Sequence, residues 1–273
     1  MAPQLAENTR KEFEQKLSDA KAAHEKDTTN ADALIWYGRR TAYLGDYMKA
    51  IEIFSKGISL HPGDARMYRH RGHRYITVRC FDKAIGDFKK AAALVKGKAD
   101  EIEPDGLPNA KNIPTSTLQS NIWYHLGLVY YIGGDYKQAL QAYKQCLRVS
   151  TNPDMYIATA NWMYVTLRKL NKNKEAKSLL ASVKQDIEVI ENKEYLEILL
   201  LYKKETDFAD PVSYLQKNKQ SPGLASFGFG LGNYLLLNGK TEKARQVFQL
   251  ITGSNQWSSF GFIAAEAELT RMK

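Results

Sequence analysis

Arginine and histidine side chains are concentrated in residues 66–81, a stretch that contains no carboxylate. A guanidinium group donates paired hydrogen bonds to a carboxylate or a phosphate, so this composition predicts an anion-binding surface. Two alternatives stay open: a solvated basic face, and arginines that pair with acids on neighbouring elements. The residues concerned are Arg66, Arg69, Arg71, Arg74, Arg79, His70 and His73.

Metal and enzyme chemistry find less support in the sequence. His70 and His73 are spaced to share one helical face, but a zinc site needs three or four ligands. Adding His125 or Cys80 gives no recognised metal motif. Residues 228–232 are rich in glycine, yet they lack the spacing of a nucleotide-binding loop. There is no nucleophile elbow, zinc-protease motif or phosphate-binding loop, so we expect no catalysis, no cofactor and no metal.

The whole chain is basic, with a formal net charge of +9 over 273 residues. Such a charge brings nucleic acid and anionic membrane surfaces into consideration. The lysines are nevertheless spread along the chain and often precede acids, as in Lys11-Glu12 and Lys174-Glu175, which is typical of a solvated helical surface. No apolar run approaches the roughly 18 residues of a membrane span. Nucleic acid is therefore an unlikely partner, and we expect no membrane span.

The elements that carry these residues recur with a period of 34 residues, seen between Gly38 and Gly72 and between Ala50 and Ala84. A third copy of the pattern begins at Trp123. This period and its small and aromatic residues resemble the tetratricopeptide repeat (TPR) family of helix-turn-helix units. The resemblance implies an all-α, right-handed α-solenoid of about six repeats, in which each repeat buries one face on its neighbours.

We predict a single solenoid domain over 1–273, because a repeat array has one continuous core. An amphipathic half-repeat at 8–25 precedes the array, and a capping helix follows it at 259–272. Repeat 4 departs from the pattern because Tyr164 stands where earlier repeats have glycine, and repeat 5 is the weakest. The predicted repeats cover 31–64, 65–98, 120–153, 157–190, 191–222 and 225–258, with an insertion at 99–119.

The glycine and aromatic positions have a structural role. We expect the glycines to mark places where two helices approach closely, and the large residues to fill the core between them. The equivalent aromatic residues are Phe54, Phe88, Tyr143 and Phe248. Arg71 is different, because repeats 1 and 3 have Tyr37 and Leu126 at its position. We therefore expect Arg71 to be partly buried and bound to an acid or to carbonyl groups.

The resemblance implies a concave groove lined by the first helix of each repeat. Its usual positions are basic and aromatic in this chain, which predicts an acidic or carboxylate-bearing ligand. The resemblance does not extend to the carboxylate clamp that binds chaperone C-termini, because Ile35 and Arg39 stand where that clamp has Lys and Asn. The candidate groove residues are Arg39, Tyr43, Arg66, Arg69, His73, Asn121, Tyr124, Tyr131, Asn161 and Arg168.

The insertion at 99–119 contains three prolines and a Pro-Asp-Gly turn, which stop helix propagation. Ile102, Leu107 and Ile113 are candidate apolar anchors. One hypothesis is that the insertion folds back across the mouth of the groove. The alternative is a surface loop without a role.

Taken together, the sequence predicts a non-catalytic adaptor that binds a protein or peptide of acidic character. The first alternative is a scaffold subunit of a larger complex that uses convex or end surfaces, and the second is an RNA-binding helical repeat. The N-terminal residues lack the pattern of a signal peptide. We therefore expect a cytoplasmic protein if this N-terminus is native, and an exported or periplasmic one if a signal peptide was removed. The two cysteines do not discriminate between these compartments.

Overall fold

The chain folds mainly into α-helices. A computed structural model describes residues 5–204, 210–218, 221 and 223–272. Over these residues fourteen helices follow one another, and β-type pairing is limited to an isolated bridge between Ile102 and Thr117. The predicted all-α helical-repeat fold is therefore confirmed.

The structure divides into two compact units, of which the first, unit 1, ends at Glu101. Each helix of unit 1 contacts the next, and α2 also contacts α4, so these two helices form one face of the unit. The helices are α1 (Glu7–Lys26), α2 (Ala31–Tyr43), α3 (Tyr47–Leu60), α4 (Ala65–Thr77) and α5 (Phe81–Val95).

The second unit, unit 2, begins at Ile102 and contains the other nine of the described helices. The prediction of a single domain stays a prediction, and part of the predicted repeat 5 (191–222) lies outside the described residues. The helices are α6 (Leu118–Gly133), α7 (Tyr136–Val149), α8 (Pro153–Lys169), α9 (Asn173–Ser182), α10 (Lys193–Lys203), α11 (Pro211–Lys217), α12 (Leu224–Leu237), α13 (Thr241–Thr252) and α14 (Phe260–Arg271).

Glycine-aspartate pairs explain the tight turns inside two of the repeats. Gly45 and Gly134 have φ angles of 88° and 85°, a left-handed conformation that glycine adopts without steric cost. The next residue caps the following helix, since Asp46 accepts from the amide of Lys49, and Asp135 accepts from the amide of Gln138 two repeats later. The sequence thus ends one helix and begins the next within a few residues.

Glycine and aromatic residues pack against each other inside the repeats, as the sequence predicts. A Cβ atom added at Gly127 would lie 2.4 Å from the ring of Tyr143, so only glycine lets the two helices approach this closely. The corresponding pairs are Gly38 with Phe54, Gly72 with Phe88 and Gly232 with Phe248. In repeat 4 the relation changes: Tyr164 replaces the glycine, and its ring stacks on that of Tyr202 with centroids 4.5 Å apart.

The first helices of the repeats in unit 2 form a closed ring. Helix α6 contacts α8, α8 contacts α10, α10 contacts α12, and α12 contacts α14. Helix α14 then contacts α6, which closes the circle, and it also packs on α13. Its middle turns are buried, with Ile263, Ala264 and Ala265 at most 1% exposed. The segment predicted as a cap is thus a helix, but much of its surface is in the interior of unit 2.

None of the helices in the described part of the chain combines the length and the apolar character that crossing a membrane requires.

Candidate functional site

The inner face of unit 1 is formed by α2 and α4, which contact each other. Of the predicted groove residues, α2 carries Arg39 and Tyr43, and α4 carries Arg66, Arg69 and His73. Arg39 and Arg69 are both 8% exposed, whereas the other three side chains are half-buried. The structure therefore brings these five residues to the paired helices of one unit, with two guanidinium groups below the surface.

Arg39 is held mainly by aromatic side chains. Its Cζ atom lies 4.4 Å from the centroid of the Trp36 ring, a favourable cation–π distance. Its Nη2 atom is 3.4 Å from the hydroxyl of Tyr43, which is a long hydrogen bond. Both neighbours are on α2 itself, so the helix orients this guanidinium group without an acidic partner.

Arg69 contacts His70, the residue next to it. Its Nη1 atom lies 3.0 Å from Nδ1 of His70, and because arginine can only donate, Nδ1 must accept. His70 is therefore neutral, with its proton on Nε2. Burial lowers the pKa of His70 well below the ordinary histidine value, and nearby guanidinium groups lower it further. In decreasing order of their effect on this pKa, these groups belong to Arg69, Arg39, Arg74 and Arg66.

Arg74 completes a cluster of positive charge. Its Cζ atom lies 5.6 Å from the ring centroid of Tyr47, and burial lowers its pKa to about 10. The positive charges of Arg69 and Arg39 also lower this pKa, whereas Tyr47 and Tyr43 raise it. We call Arg39, Arg69 and Arg74 the arginine cluster. Within the part of the chain that the structure describes, neither Arg39 nor Arg74 has a carboxylate in ion-pair contact.

Arg66 stands apart from this cluster because it is neutralised by acids. Its Nη1 is 2.7 Å from Asp32 on α2, and its Nη2 is 2.7 Å from Asp64 before α4. These carboxylates raise the pKa of Arg66, chiefly through the hydrogen bond to Asp64. Arg66 therefore joins the N-terminal ends of α2 and α4, which is a structural task.

Arg71 has the acidic partner that the sequence predicts. Its Nε and Nη2 atoms donate to the two carboxylate oxygens of Asp87 at 2.8 and 2.7 Å, and its Nη1 donates to the hydroxyl of Ser55. This bidentate geometry matches one edge of the guanidinium group to the carboxylate. Arg71 therefore connects α4 to both α3 and α5.

A cleft of about 550 Å³ lies beside the arginine cluster, between α1 and α2. Trp36 and Arg40 form part of its wall, and Cζ of Arg40 is 4.8 Å from the centroid of the Trp36 ring. Neither Trp36 nor Arg40 is among the site residues that the sequence predicts, and Arg74 is predicted only as part of the arginine-rich stretch 66–81. All three fall outside the repeat positions usually assigned to the groove, and their three-dimensional neighbours connect them to this site.

The candidate residues of unit 2 do not form an open groove. Asn121, Tyr124, Tyr131 and Asn161 are between 0% and 7% exposed. Arg168 is half-buried, and its Nη1 donates to the hydroxyl of Tyr164 at 2.9 Å. The prediction of an accessible surface through these residues thus differs from the structure, in which α14 contacts Tyr131 and the insertion contacts Asn121.

Helix α14 covers the inner face of α6 through a buried polar network. Glu268, which is 1% exposed, accepts a hydrogen bond from the hydroxyl of Tyr131 at 3.1 Å. It also pairs with Lys169 of α8 at 2.8 Å and with Arg271 at 3.2 Å. The guanidinium group of Arg271 in turn donates to the carbonyl oxygens of Tyr131 and Ile132 near the end of α6.

The insertion is held at the N-terminal ends of α6, α8 and α10 by polar contacts. Glu103 accepts from the side chain of Asn121 at 3.2 Å. Thr115 donates its hydroxyl to Glu191 at 2.7 Å, and its carbonyl accepts from Asn152. The three predicted apolar anchors are instead exposed, by 64% for Ile102, 48% for Leu107 and 50% for Ile113. The prediction of apolar anchoring was therefore wrong, because carboxylate and amide groups fix this segment.

A comparison with protein families agrees with the repeat architecture in part of unit 2. A family model described as a tetratricopeptide repeat matches residues 120–152. A stretch of 51 residues is 39% identical to serine/threonine-protein phosphatase 5 of Mus musculus, over 19% of this chain and 10% of that protein. The chain thus spans about a tenth of that relative's length.

Solved structures with similar helical arrays share low sequence identity with the chain. YrrB, described as a TPR protein with an unusual peptide-binding site, is 16% identical over 91% of this chain and 97% of its own, with a TM-score of 0.47. MamA is 20% identical over 73% and 95%, with a TM-score of 0.49. TTC0263, a thermophilic TPR protein in Thermus thermophilus, is 18% identical over 69% and 91%, with a TM-score of 0.46.

Proposed function

Because the chain is a tetratricopeptide-repeat protein, a protein-interaction repeat, we propose that it is a non-catalytic adaptor whose inner face in unit 1 binds an acidic or carboxylate-bearing protein segment. The binding face consists of the arginine cluster together with Tyr43 and His73. The predicted groove residues of unit 2 have no part in this face, because four of them are buried and Arg168 is hydrogen-bonded to Tyr164.

The observation that carries this proposal is the state of Arg39 and Arg74. Both guanidinium groups are removed from much of the solvent, and neither pairs with a carboxylate among the described residues. A cation shielded from water is costly unless an anion compensates it. Arg66 and Arg71 of the same unit have their acids within the fold. An anion supplied by a partner would give Arg39 and Arg74 the same compensation.

The neighbouring side chains suit a peptide. Tyr43 of α2 and His73 of α4 are half-buried, so each side chain is exposed in part. Aromatic groups of this kind can cover apolar parts of a peptide while their polar tips remain hydrogen-bonded. The arginines would then select an acidic side chain or a terminal carboxylate, and the rings would add contact area.

The proposal is tested by the fluorescence anisotropy of a labelled acidic peptide with a free C-terminal carboxylate, titrated with the parent chain and two variants. The double variant Arg69→Ala/His73→Ala should weaken binding at least about tenfold, which corresponds to about 1.4 kcal/mol. Arg148→Ala is the matched control, since it removes the same single positive charge from an exposed position on α7. Its affinity should stay within about twofold of the parent value.

Circular dichroism establishes first that all three proteins are equally folded. Equal affinities for the parent and for Arg69→Ala/His73→Ala would refute the binding face. An RNA oligonucleotide tested in parallel distinguishes the RNA-binding alternative, because affinity for RNA falls steeply with the logarithm of salt concentration. A peptide held partly by aromatic contacts should lose less affinity over the same range.

A further inference from the structure

Arg39 and Arg74 together carry two positive charges, more than one carboxylate can neutralise. Arg39 comes from α2 and Arg74 from α4, and His70, which contacts Arg69, is neutral. One carboxylate carries a single negative charge. A phosphorylated side chain carries about −1.5 to −2 at neutral pH and presents three strong acceptor oxygens. The charge of a phosphomonoester therefore fits the cluster better.

The geometry of the cluster also favours a phosphate group. Arg39 is oriented by Trp36 at 4.4 Å, and Arg74 by the ring of Tyr47 at 5.6 Å. Contacts with ring faces leave the edges of a guanidinium group, where its N–H donors lie, available for an anion. Donors arranged in such planar forks match the oxygens of phosphate in pairs. The charge of Arg39 also lowers the pKa of Arg74, so guanidinium groups from two helices lie in one region.

Resting on the function proposed above, we propose that the arginine cluster recognises a phosphorylated serine or threonine in the bound segment, in preference to a carboxylate. Arg39 and Arg74 supply the paired donors to the phosphate oxygens. Arg69 adds a third positive charge beside them.

A phosphorylated protein segment fits this face better than a nucleic acid. Each phosphodiester of a nucleic acid carries only one charge, and an extended strand would continue past the cluster. Next to the cluster stand the carboxylates of Asp32 and Asp64, which pair with Arg66. Because of these acids, little positive charge is left for the phosphates that would flank the one bound at the cluster. A single phosphate on an otherwise ordinary peptide avoids that penalty.

The test uses three peptides that differ at one position. Each has the sequence Gly-Leu-Glu-X-Leu-Glu-Gly with an N-terminal fluorescein and an amidated C-terminus, where X is serine, aspartate or phosphoserine. Titration with the unaltered chain should give the tightest binding for phosphoserine, by about tenfold over aspartate. Equal affinities for aspartate and phosphoserine would overturn this inference and leave the adaptor function standing.

Variants connect the preference to the proposed residues. Arg39→Gln/Arg74→Gln should reduce the phosphoserine-to-aspartate ratio to about one, whereas Arg148→Gln should keep it. If the double variant keeps the full ratio, the cluster is not the phosphate site. If it fails to fold, the three-peptide comparison on the unaltered chain still decides the inference. A short uridine oligonucleotide that displaces the phosphoserine peptide at lower concentration than the unlabelled peptide does would identify nucleic acid as the ligand instead. Failure of all three peptides, together with the acidic peptide above, would refute the adaptor function itself.

Discussion

The hydroxyl of Tyr131 donates a hydrogen bond of 3.1 Å to the carboxylate of Glu268, which lies 137 residues later in the chain. The first residue is on α6 and the second on α14, the first and last helices of the closed ring in unit 2. Lys169 and Arg271 pair with the same carboxylate. One buried acid thus joins three helices of the ring.

Replacing Glu268 by glutamine should destabilise unit 2. The substitution keeps the shape but leaves Lys169 and Arg271 without their anion, and breaking a buried ion pair in this way costs about 3 kcal/mol or more. Urea unfolding followed by the fluorescence of the tryptophans in unit 2 measures the change. Glu14→Gln is the control at an exposed position of α1, and it should change the free energy of unfolding by less than about 0.5 kcal/mol. Equal unfolding midpoints for the parent and Glu268→Gln would contradict the structural role of this network.

Arg71 and Asp87 should behave as a strongly coupled pair. Arg71→Leu alone leaves Asp87 buried without its cation, so we expect a loss of about 3–5 kcal/mol. Repeat 3 has Leu126 and Ala142 at the same two positions. The double variant Arg71→Leu/Asp87→Ala introduces the residues of repeat 3. Its free energy of unfolding should lie within about 1 kcal/mol of the parent value. A double-mutant cycle gives the coupling energy, and additive losses would show that the pair does not act as a unit.

Much of the fold could be predicted because the repeat pattern encodes local packing. A glycine such as Gly127 and the ring of Tyr143 belong to one repeat, and their spacing in the sequence is the spacing of their contact. The contact between Tyr131 and Glu268 has no such signature, since it depends on how several small rotations between repeats add up along the ring. For this reason the repeat pattern does not reveal that α14 covers the groove positions of α6.

The candidate site in unit 1 was partly predictable for a related reason. Arg39 and Arg69 occupy repeat positions that the family resemblance assigns to the groove. Arg74 does not, and its importance arises from burial against Tyr47 and from the absence of a carboxylate partner in the described structure. Whether an arginine finds its acid within the fold, as Arg71 does, depends on side chains from neighbouring helices. A linear pattern does not contain that information.

The stability of unit 1 should fall in mild acid because of His70. In the folded state its pKa lies well below 6.5, so the imidazole stays neutral, whereas in the unfolded chain it takes up a proton near pH 6.5. The unfolded state therefore binds more protons as the pH falls, and the free energy of unfolding decreases by up to about 1.4 kcal/mol per pH unit. His24, whose pKa is also lowered by burial, adds in the same direction.

Urea unfolding of unit 1 between pH 7 and pH 5 is followed by the fluorescence of Trp36 in a protein whose other three tryptophans, Trp123, Trp162 and Trp257, are replaced by phenylalanine. As the pH falls, the free energy of unfolding should decrease less in His70→Gln than in the parent. The difference should correspond to the uptake of one proton. Glutamine can still accept a hydrogen bond from Arg69, and carboxylate titration is common to both proteins. Identical pH profiles for the two proteins would show that His70 is not the responsible group.

Glycine at position 127 should be required for packing rather than for backbone conformation. Alanine there would place its Cβ 2.4 Å from the Tyr143 ring, which should cost about 1–3 kcal/mol through overpacking. Gly133→Ala on the same helix is the matched control, because nothing lies within 4 Å of the added methyl group. Its free energy of unfolding should change by no more than about 0.5 kcal/mol. Similar effects at the two positions, measured by urea unfolding, would argue against the close approach of α6 and α7.

The most direct test of the adaptor function localises the bound peptide by site-specific photo-crosslinking. Tyr43, on the inner face of unit 1, is replaced by p-benzoylphenylalanine, and half-buried Tyr130 of α6 is replaced in a control protein. After irradiation with the labelled acidic peptide, we expect a crosslinked product from position 43 that unlabelled peptide suppresses, and no such product from position 130. Peptide binding without a crosslink at position 43, or with an equally strong one at position 130, would contradict a binding face on α2 and α4.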